Sequence, residues 1–213
     1  MKPGMNRDAV LWSASETDRN QRPVLVMLHG WSYDETHLYR LLKPLLPADL
    51  VVASIRARIP EAGGYAWFPS AGNPIGDPRP EVANAAAEDV LDWLRTIDAP
   101  SIGLAGFSQG GAMVHQLMRL APDLLAYGVS FAGFVVRDQQ PGDATLATTR
   151  PPIYWGRGHN DSVIPAPAVD RTERWLKQHA TAETHIYRNL GHDVAGQEIP
   201  DAVTFIAGQS AFV

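Results

Sequence analysis

Short, continuous apolar runs alternate with amphipathic segments along most of this chain, and that alternation fixes its fold class. Strand-length runs occupy residues 24–28, 50–55, 101–105, 128–134 and 153–155, with a weaker alternating stretch at 184–187. Between them lie segments of helical period. Leu38, Leu41, Leu42, Leu45 and Leu46 share one face, and Val82, Ala86, Val90, Trp93, Leu94 and Ile97 share another. A third segment runs over 109–120. A fourth carries Val169, Thr172, Trp175, Leu176 and His179, and a last one covers 202–207. Strands that are apolar on both faces, separated by amphipathic helices, predict a mostly parallel, doubly wound sheet with helices on both sides. Residues 9–13 are expected to add an edge strand. No repeat, low-complexity tract or composition shift divides the chain, so 213 residues are expected to form one domain with no separate cap.

Two stretches break the pattern. Residues 60–80, "PEAGGYAWFPSAGNPIGDPRP", are rich in Gly and Pro, and residues 137–152 are polar. Both follow predicted strands and read as long loops. In an open α/β sheet, ligands bind beyond the carboxyl ends of the strands, where both loops belong.

The same end of the sheet receives "GFSQG", residues 106–110. This G-x-S-x-G pattern ends a predicted strand and opens a predicted helix. That context lifts a serine hydroxyl above the sheet on a turn too sharp for side chains on either side. Ser108 is thus a candidate nucleophile. A serine hydroxyl needs a base to take its proton and an acid to orient that base, and in this architecture the chain order is serine, acid, histidine.

Among the histidines after Ser108, His115 lies within the helix that the serine opens, His179 ends a helix and His185 sits in a strand pattern. His192, in "NLGHDV" just past the last predicted strand, is the expected base. Of the acids in between, Asp138 and Asp143 read as solvated loop residues and Asp170 as a residue of a helix's first turn. Asp161, which follows a strand in "GRGHNDSVIP", is the expected acid; His159, two residues before it, is a lesser candidate for the site wall. A tetrahedral intermediate also needs amide donors for its oxyanion. The backbone N–H of Gln109, at the helix N-terminus, and that of Trp31, in the loop "LHGWSYDE" after residues 24–28, are the candidates. His29 and Gly30 are expected to shape that loop and not to react. Tyr65, Trp67 and Phe68 are expected to wall an apolar substrate site with Tyr33 and Trp31 opposite; the alternative is that the aromatic loop forms a small satellite core.

The segments "LHGWSYDE", "YAWFPS", "GFSQGGAM", "GRGHNDSVIP" and "LGHDV" occur in one order over residues 24–194. In them the chain resembles the phospholipase/carboxylesterase family of α/β-hydrolases, which includes small carboxylesterases and acyl-protein thioesterases. The resemblance implies an α/β-hydrolase fold and a Ser108–Asp161–His192 triad. It also implies an oxyanion hole from Trp31 and Gln109, and hydrolysis of carboxylic or thio esters without metal or cofactor. Two departures from the family pattern, Pro69 after Phe68 and Trp31-Ser32 after His29-Gly30, fall near the acyl site.

Composition removes other functions. The net charge of −5, without a basic stretch, does not suit nucleic acid. Cys is absent, which excludes a thiol nucleophile such as dienelactone hydrolases favour. No metal-ligand spacing such as H-E-x-x-H occurs, so no metal is expected. No apolar run is long enough for a signal peptide or a membrane span, which predicts a cytoplasmic protein without membrane insertion. The leading expectation is a serine carboxylesterase acting on small-molecule esters of short to medium chain through an acyl-enzyme. An acyl thioesterase or lysophospholipase is the alternative within the family, and a non-catalytic ligand-binding module the alternative outside it. Whether the chain works alone or as a homodimer is left open.

Overall fold

A computed structural model describes residues 2–210. Seven strands form one sheet in the order β1-β3-β2-β6-β7-β8-β9. They are β1 (Met5–Trp12), β2 (Val24–Leu28), β3 (Val51–Ala57), β6 (Ile102–Phe107), β7 (Tyr127–Phe131), β8 (Pro152–Gly158) and β9 (Thr181–Tyr187). Every pairing is parallel except that of the edge strand β1 with β3. A two-stranded hairpin, β4 (Ile59–Glu61) with β5 (Gly64–Ala66), stands apart from the sheet.

The apolar strands work as the sequence implies. Along β2, Val24, Val26 and Leu28 enter one core, while Leu25 and Met27 enter the other. The first core is covered by α3 (Pro80–Leu94), α4 (Gln109–Leu120) and α6 (Ala166–His179). The second is covered by α2 (Thr36–Leu42) and α7 (Glu198–Ser210). A strand buried on both faces has no polar side to show, which is why these runs do not alternate.

Several boundaries shift for local reasons. The helix expected to run to Leu46 stops at Leu42 and tightens into a 3-10 turn, Lys43–Leu45, because Pro44 has no N–H to continue the α-helix. Strand β7 ends at Phe131 and not at 134, because Ala132 adopts a left-handed φ of 47°. Neither long loop is structureless. Residues 60–80 contain most of the hairpin, turned by Ala62 and Gly63 at φ 51° and 84°. Residues 137–152 contain α5 (Asp143–Thr149), and a short α1 (Glu16–Arg19) precedes β2. No helix among the described residues is long and apolar enough to cross a membrane.

The chain leaves β2 toward β3 on one side and returns to place β6 on the other. The crevice where an open sheet binds ligands therefore lies above the β2–β6 pair. The loop carrying Trp31 follows β2, and the turn carrying Ser108 follows β6.

Candidate active site

Ser108 occupies the turn between β6 and α4 with φ 54° and ψ −113°, a backbone conformation that L-residues rarely adopt. The glycines around it permit that turn. A methyl group on Gly106 would overlap the backbone of Gly110, one on Gly110 would overlap the Leu28 carbonyl, and one on Gly111 would meet the Cα of Gly133. These obstacles are backbone and cannot rotate away. Two hydrogen bonds hold the strained residue, from Ser108 N–H to the Phe131 carbonyl at 2.8 Å and from Ala112 N–H to the Ser108 carbonyl at 2.9 Å.

From this turn a continuous chain of side chains runs outward. Ser108 Oγ lies 2.8 Å from His192 Nε2, and His192 Nδ1 lies 2.8 Å from Asp161 Oδ2. A carboxylate only accepts, so Nδ1–H donates to Asp161 and Nε2 is left to accept the serine proton. The other carboxylate oxygen of Asp161 accepts the amides of Val163 at 2.8 Å and Ile164 at 3.1 Å. Burial alone would raise the Asp161 pKa. The hydrogen bonds from His192, Ile164 and Val163 outweigh burial and hold the carboxyl below its ordinary range. The three residues come from the ends of β6, β8 and β9, all at the carboxyl edge of the sheet.

The chain of hydrogen bonds opens into a cavity of about 540 Å³. Its walls are mostly apolar and include Trp31, Phe68, Ile75, Phe107, Phe134 and Val163. His192 is its one basic side chain, and no carboxylate lines it. The backbone amides of Trp31 and Gln109 border the cavity beside Ser108, and neither donates a hydrogen bond to a protein group among the described residues. Trp31 and Gln109, the two residues expected to donate amides to an oxyanion, thus both border the cavity with Ser108 and both keep a free N–H among the described residues. Among the described residues no group of three or more His, Asp or Glu side chains is arranged to hold a metal ion.

The five aromatic residues expected along the substrate wall part company. Trp31, Tyr33 and Phe68 border the cavity. Trp67 does not: it is fully buried, and its Nε1–H donates to the His29 carbonyl at 2.8 Å. Tyr65 is turned away as well, packed against the core with its ring 4.7 Å from the Arg56 guanidinium. The side chain of Gln109 causes the split between Trp67 and Phe68. Its Oε1 accepts the Trp67 amide at 2.8 Å and its Nε2 donates to the Phe68 carbonyl at 2.9 Å, which clamps this stretch to the nucleophile turn with one aromatic in and one out.

Other candidates fall elsewhere. His159, Asp138 and Asp170 are exposed and do not border this cavity. Asp143, expected in solvent, is buried and paired with Arg119 at 2.8 Å, because α5 carries it under α4. His29 is buried and held neutral, its pKa lowered to about 4 by desolvation. It accepts the Ala57 amide on Nε2 and bonds the Gly30 carbonyl through Nδ1, so it braces the Trp31 loop.

Residues 79–210 match the phospholipase/carboxylesterase family model. The chain belongs to that family. Membership places it among the ester hydrolases of the α/β-hydrolase fold. Over 93% of its length it is 24% identical to an Arabidopsis thaliana protein named "Probable carboxylesterase SOBER1-like", covering 77% of that protein. Over 55% of its length it is 33% identical to a mouse carboxymethylenebutenolidase homolog, of which it spans 45%. Among solved structures, a carboxylesterase from Mesorhizobium loti superposes with a TM-score of 0.76 at 20% identity, covering 98% of this chain and all of the other, which shows the shared fold. In this phospholipase/carboxylesterase chain the family match begins at Arg79 and includes Ser108, Asp161 and His192, whereas the Trp31 loop and the aromatic hairpin lie before it.

Proposed function

We propose that this protein is a serine carboxylesterase that hydrolyses uncharged esters of short to medium acyl chain. The observation that carries the reading is the unbroken line from Asp161 through His192 to Ser108, each step 2.8 Å, ending at an apolar cavity with two unpaired amides beside it. Ser108 Oγ attacks the ester carbonyl carbon while His192 Nε2 takes the hydroxyl proton. The carbonyl oxygen becomes an oxyanion and accepts hydrogen bonds from the Trp31 and Gln109 amides. Collapse of this intermediate breaks the bond to the alcohol oxygen, which leaves with the proton from His192, and the acyl group stays on Ser108. Water, deprotonated in turn by His192, releases the acid and restores the serine. Asp161 stays ionised throughout, fixes the Nδ1–H tautomer and stabilises the transient imidazolium.

The cavity supports the substrate class. Its walls are apolar, its volume falls in the usual range for small ligands, and no lysine or arginine lines it to meet a phosphate or nucleotide group. A volume of about 540 Å³ has room for short and medium acyl chains.

The test is a set of neutral p-nitrophenyl esters of increasing acyl length, assayed with wild type and Ser108→Ala. Wild type should turn over the short and medium esters best without added metal, and a fluorophosphonate should add once, on Ser108. Full activity in Ser108→Ala, or a labelled residue other than Ser108, would overturn the reading.

A further inference from the structure

The hairpin β4–β5 carries a contact that the hydrolytic scheme leaves unexplained. Glu61, the last residue of β4, sets its carboxylate between two loops. Oε2 accepts the indole Nε1–H of Trp31 at 3.0 Å. The Ser70 amide reaches both oxygens at 3.3 Å, and the Ser70 hydroxyl donates to Oε1. Trp31 and Ser70 come from different loops, and both border the cavity above Ser108. Burial pushes the Glu61 carboxyl up, but the hydrogen bonds from Ser70 and Trp31 prevail and keep it below its ordinary value, so it is charged at neutral pH.

Trp31 depends on this contact more than its neighbours do. The other strand of the hairpin secures the next two residues through the backbone, with Ser32 N–H donating to the Tyr65 carbonyl at 3.0 Å and Tyr65 N–H to the Tyr33 carbonyl at 2.9 Å. Trp31 itself makes no backbone–backbone hydrogen bond among the described residues. The residue is 40% exposed and borders the cavity, and the Glu61 carboxylate is the hydrogen-bond partner found for its indole.

Resting on the serine-esterase reading, we infer that Glu61 is a positioning residue: it holds the Trp31 indole, and through it the Trp31 amide that meets the oxyanion, and ties the Ser70 loop to the same anchor. Glu61 touches neither substrate nor nucleophile. Its effect falls on kcat, because the Trp31 amide meets full negative charge only in the transition state. Removing an oxyanion donor typically costs about 10²–10³-fold, and a donor that is displaced and not removed costs less, roughly 10-fold.

The experiment is a double-mutant cycle on p-nitrophenyl butyrate, with kcat, KM and melting temperature measured for Glu61→Ala, Glu61→Gln, Trp31→Phe and the Glu61→Ala/Trp31→Phe double variant. Glu61→Ala should lower kcat about 10-fold and move KM less than about 3-fold. Glu61→Gln keeps an acceptor oxygen and should restore most of kcat. Trp31→Phe removes the indole donor and should lower kcat in the same direction, and the double variant should be no worse than Glu61→Ala alone, because the indole has already lost its partner once Glu61 is gone. Wild-type kcat in Glu61→Ala, multiplying losses in the double variant, or no rescue by Gln would each overturn the inference. If Glu61→Ala fails to fold, Glu61→Met, which keeps the bulk of the side chain and removes the acceptor, takes its place in the cycle. Ser108→Ala in the same assay separates the two readings: activity surviving there sinks the serine esterase, whereas an inert Ser108→Ala with uncoupled Glu61 and Trp31 sinks only the role of Glu61.

Discussion

Helix α4 has a polar cluster at each end, and the two differ in one respect. At its C-terminal end, Arg119 spends every donor group. Its Nε and Nη2 reach the two oxygens of Asp143 at 2.8 Å, and its remaining bonds go to the carbonyls of Val136 and Asp138 and to Gln116. Asp143 also accepts the Gln140 amide and the Trp175 indole, and Gln116 continues to Asn84 and Gln140. At its N-terminal end, the bonds stop short. Ser108 sits in a strained backbone, two amides beside it are unpaired, and a cavity begins where their partners would be. Both clusters are largely buried and contain a carboxylate held below its usual pKa. A shifted pKa thus does not tell the two clusters apart. Unused bonding capacity that faces an open volume does.

The largest expected difference between the two ends is in rate. Ser108→Ala and His192→Ala should each lower kcat/KM by about 10³-fold or more while melting temperature is kept. Asp143→Ala should do the reverse. It strands the Arg119 charge in the core, which costs about 3–5 kcal/mol, and the protein that remains folded should keep kcat/KM within about 3-fold. Thermal melts and initial rates on the same preparations measure both; a large activity loss in folded Asp143→Ala would erase the contrast.

Glu198 is a control for the idea that unused capacity alone marks function. It is fully buried and neither carboxyl oxygen has a partner among the described residues, but it packs against Gly156 and borders no described cavity. Desolvation, helped by the Asp193 charge, raises its pKa to about 8. Below the ordinary value of 4.5, folded and unfolded chains both hold the proton. Between 4.5 and 8 the unfolded chain releases it and the folded chain does not, so stability falls as pH rises through that window and levels off above it. Glu198→Gln should therefore match wild type near pH 4.5 and be more stable near pH 8 by about 4 kcal/mol, with unchanged kcat. Equal melting temperatures at both pH values would show that Glu198 titrates normally.

The smallest effect concerns two neighbours. Trp67→Ala should cost stability, about 3–5 kcal/mol, without changing the ratio of rates between acyl lengths. Phe68→Ala should change that ratio by a few-fold, since each methylene against such a wall contributes about 0.8 kcal/mol. A panel of two ester lengths on both variants decides whether Phe68, and not Trp67, belongs to the wall.

Much of this was legible in the sequence because it depends on local chemistry. Strand β2 and helix α4 fall where the apolar run 24–28 and the glycine-flanked segment 109–120 put them. Ser108, Asp161 and His192 could be selected because the fold class specifies which strand ends converge. What escaped depends on contacts between distant segments. Nothing in "DATLATT" announces that Asp143 will lie beneath Arg119, 24 residues away. Nothing in "YAWFP" says which aromatic faces in, since Gln109, 42 residues from Trp67, makes that choice. Glu61 is one acid among many until the hairpin brings it to Trp31.

The glycine contacts of the Ser108 turn have a consequence for how the protein comes into being. Gly110 lies on the Leu28 carbonyl and Gly111 on Gly133, so the turn can close only after β2 has paired with β6 and the chain beyond β7 has folded back. Those parallel pairings join segments far apart along the chain, Val24 beside Ile102 for example, and such contacts form late and slowly. His192 stands on the loop after β9, 84 residues along the chain from Ser108, so it too reaches the turn only through a long-range contact. A half-made chain can hold its helices and much of its apolar surface without a reactive serine. The contact of Ser108 with His192 therefore needs several long-range pairings in place at once, whereas the helices can form from local contacts alone.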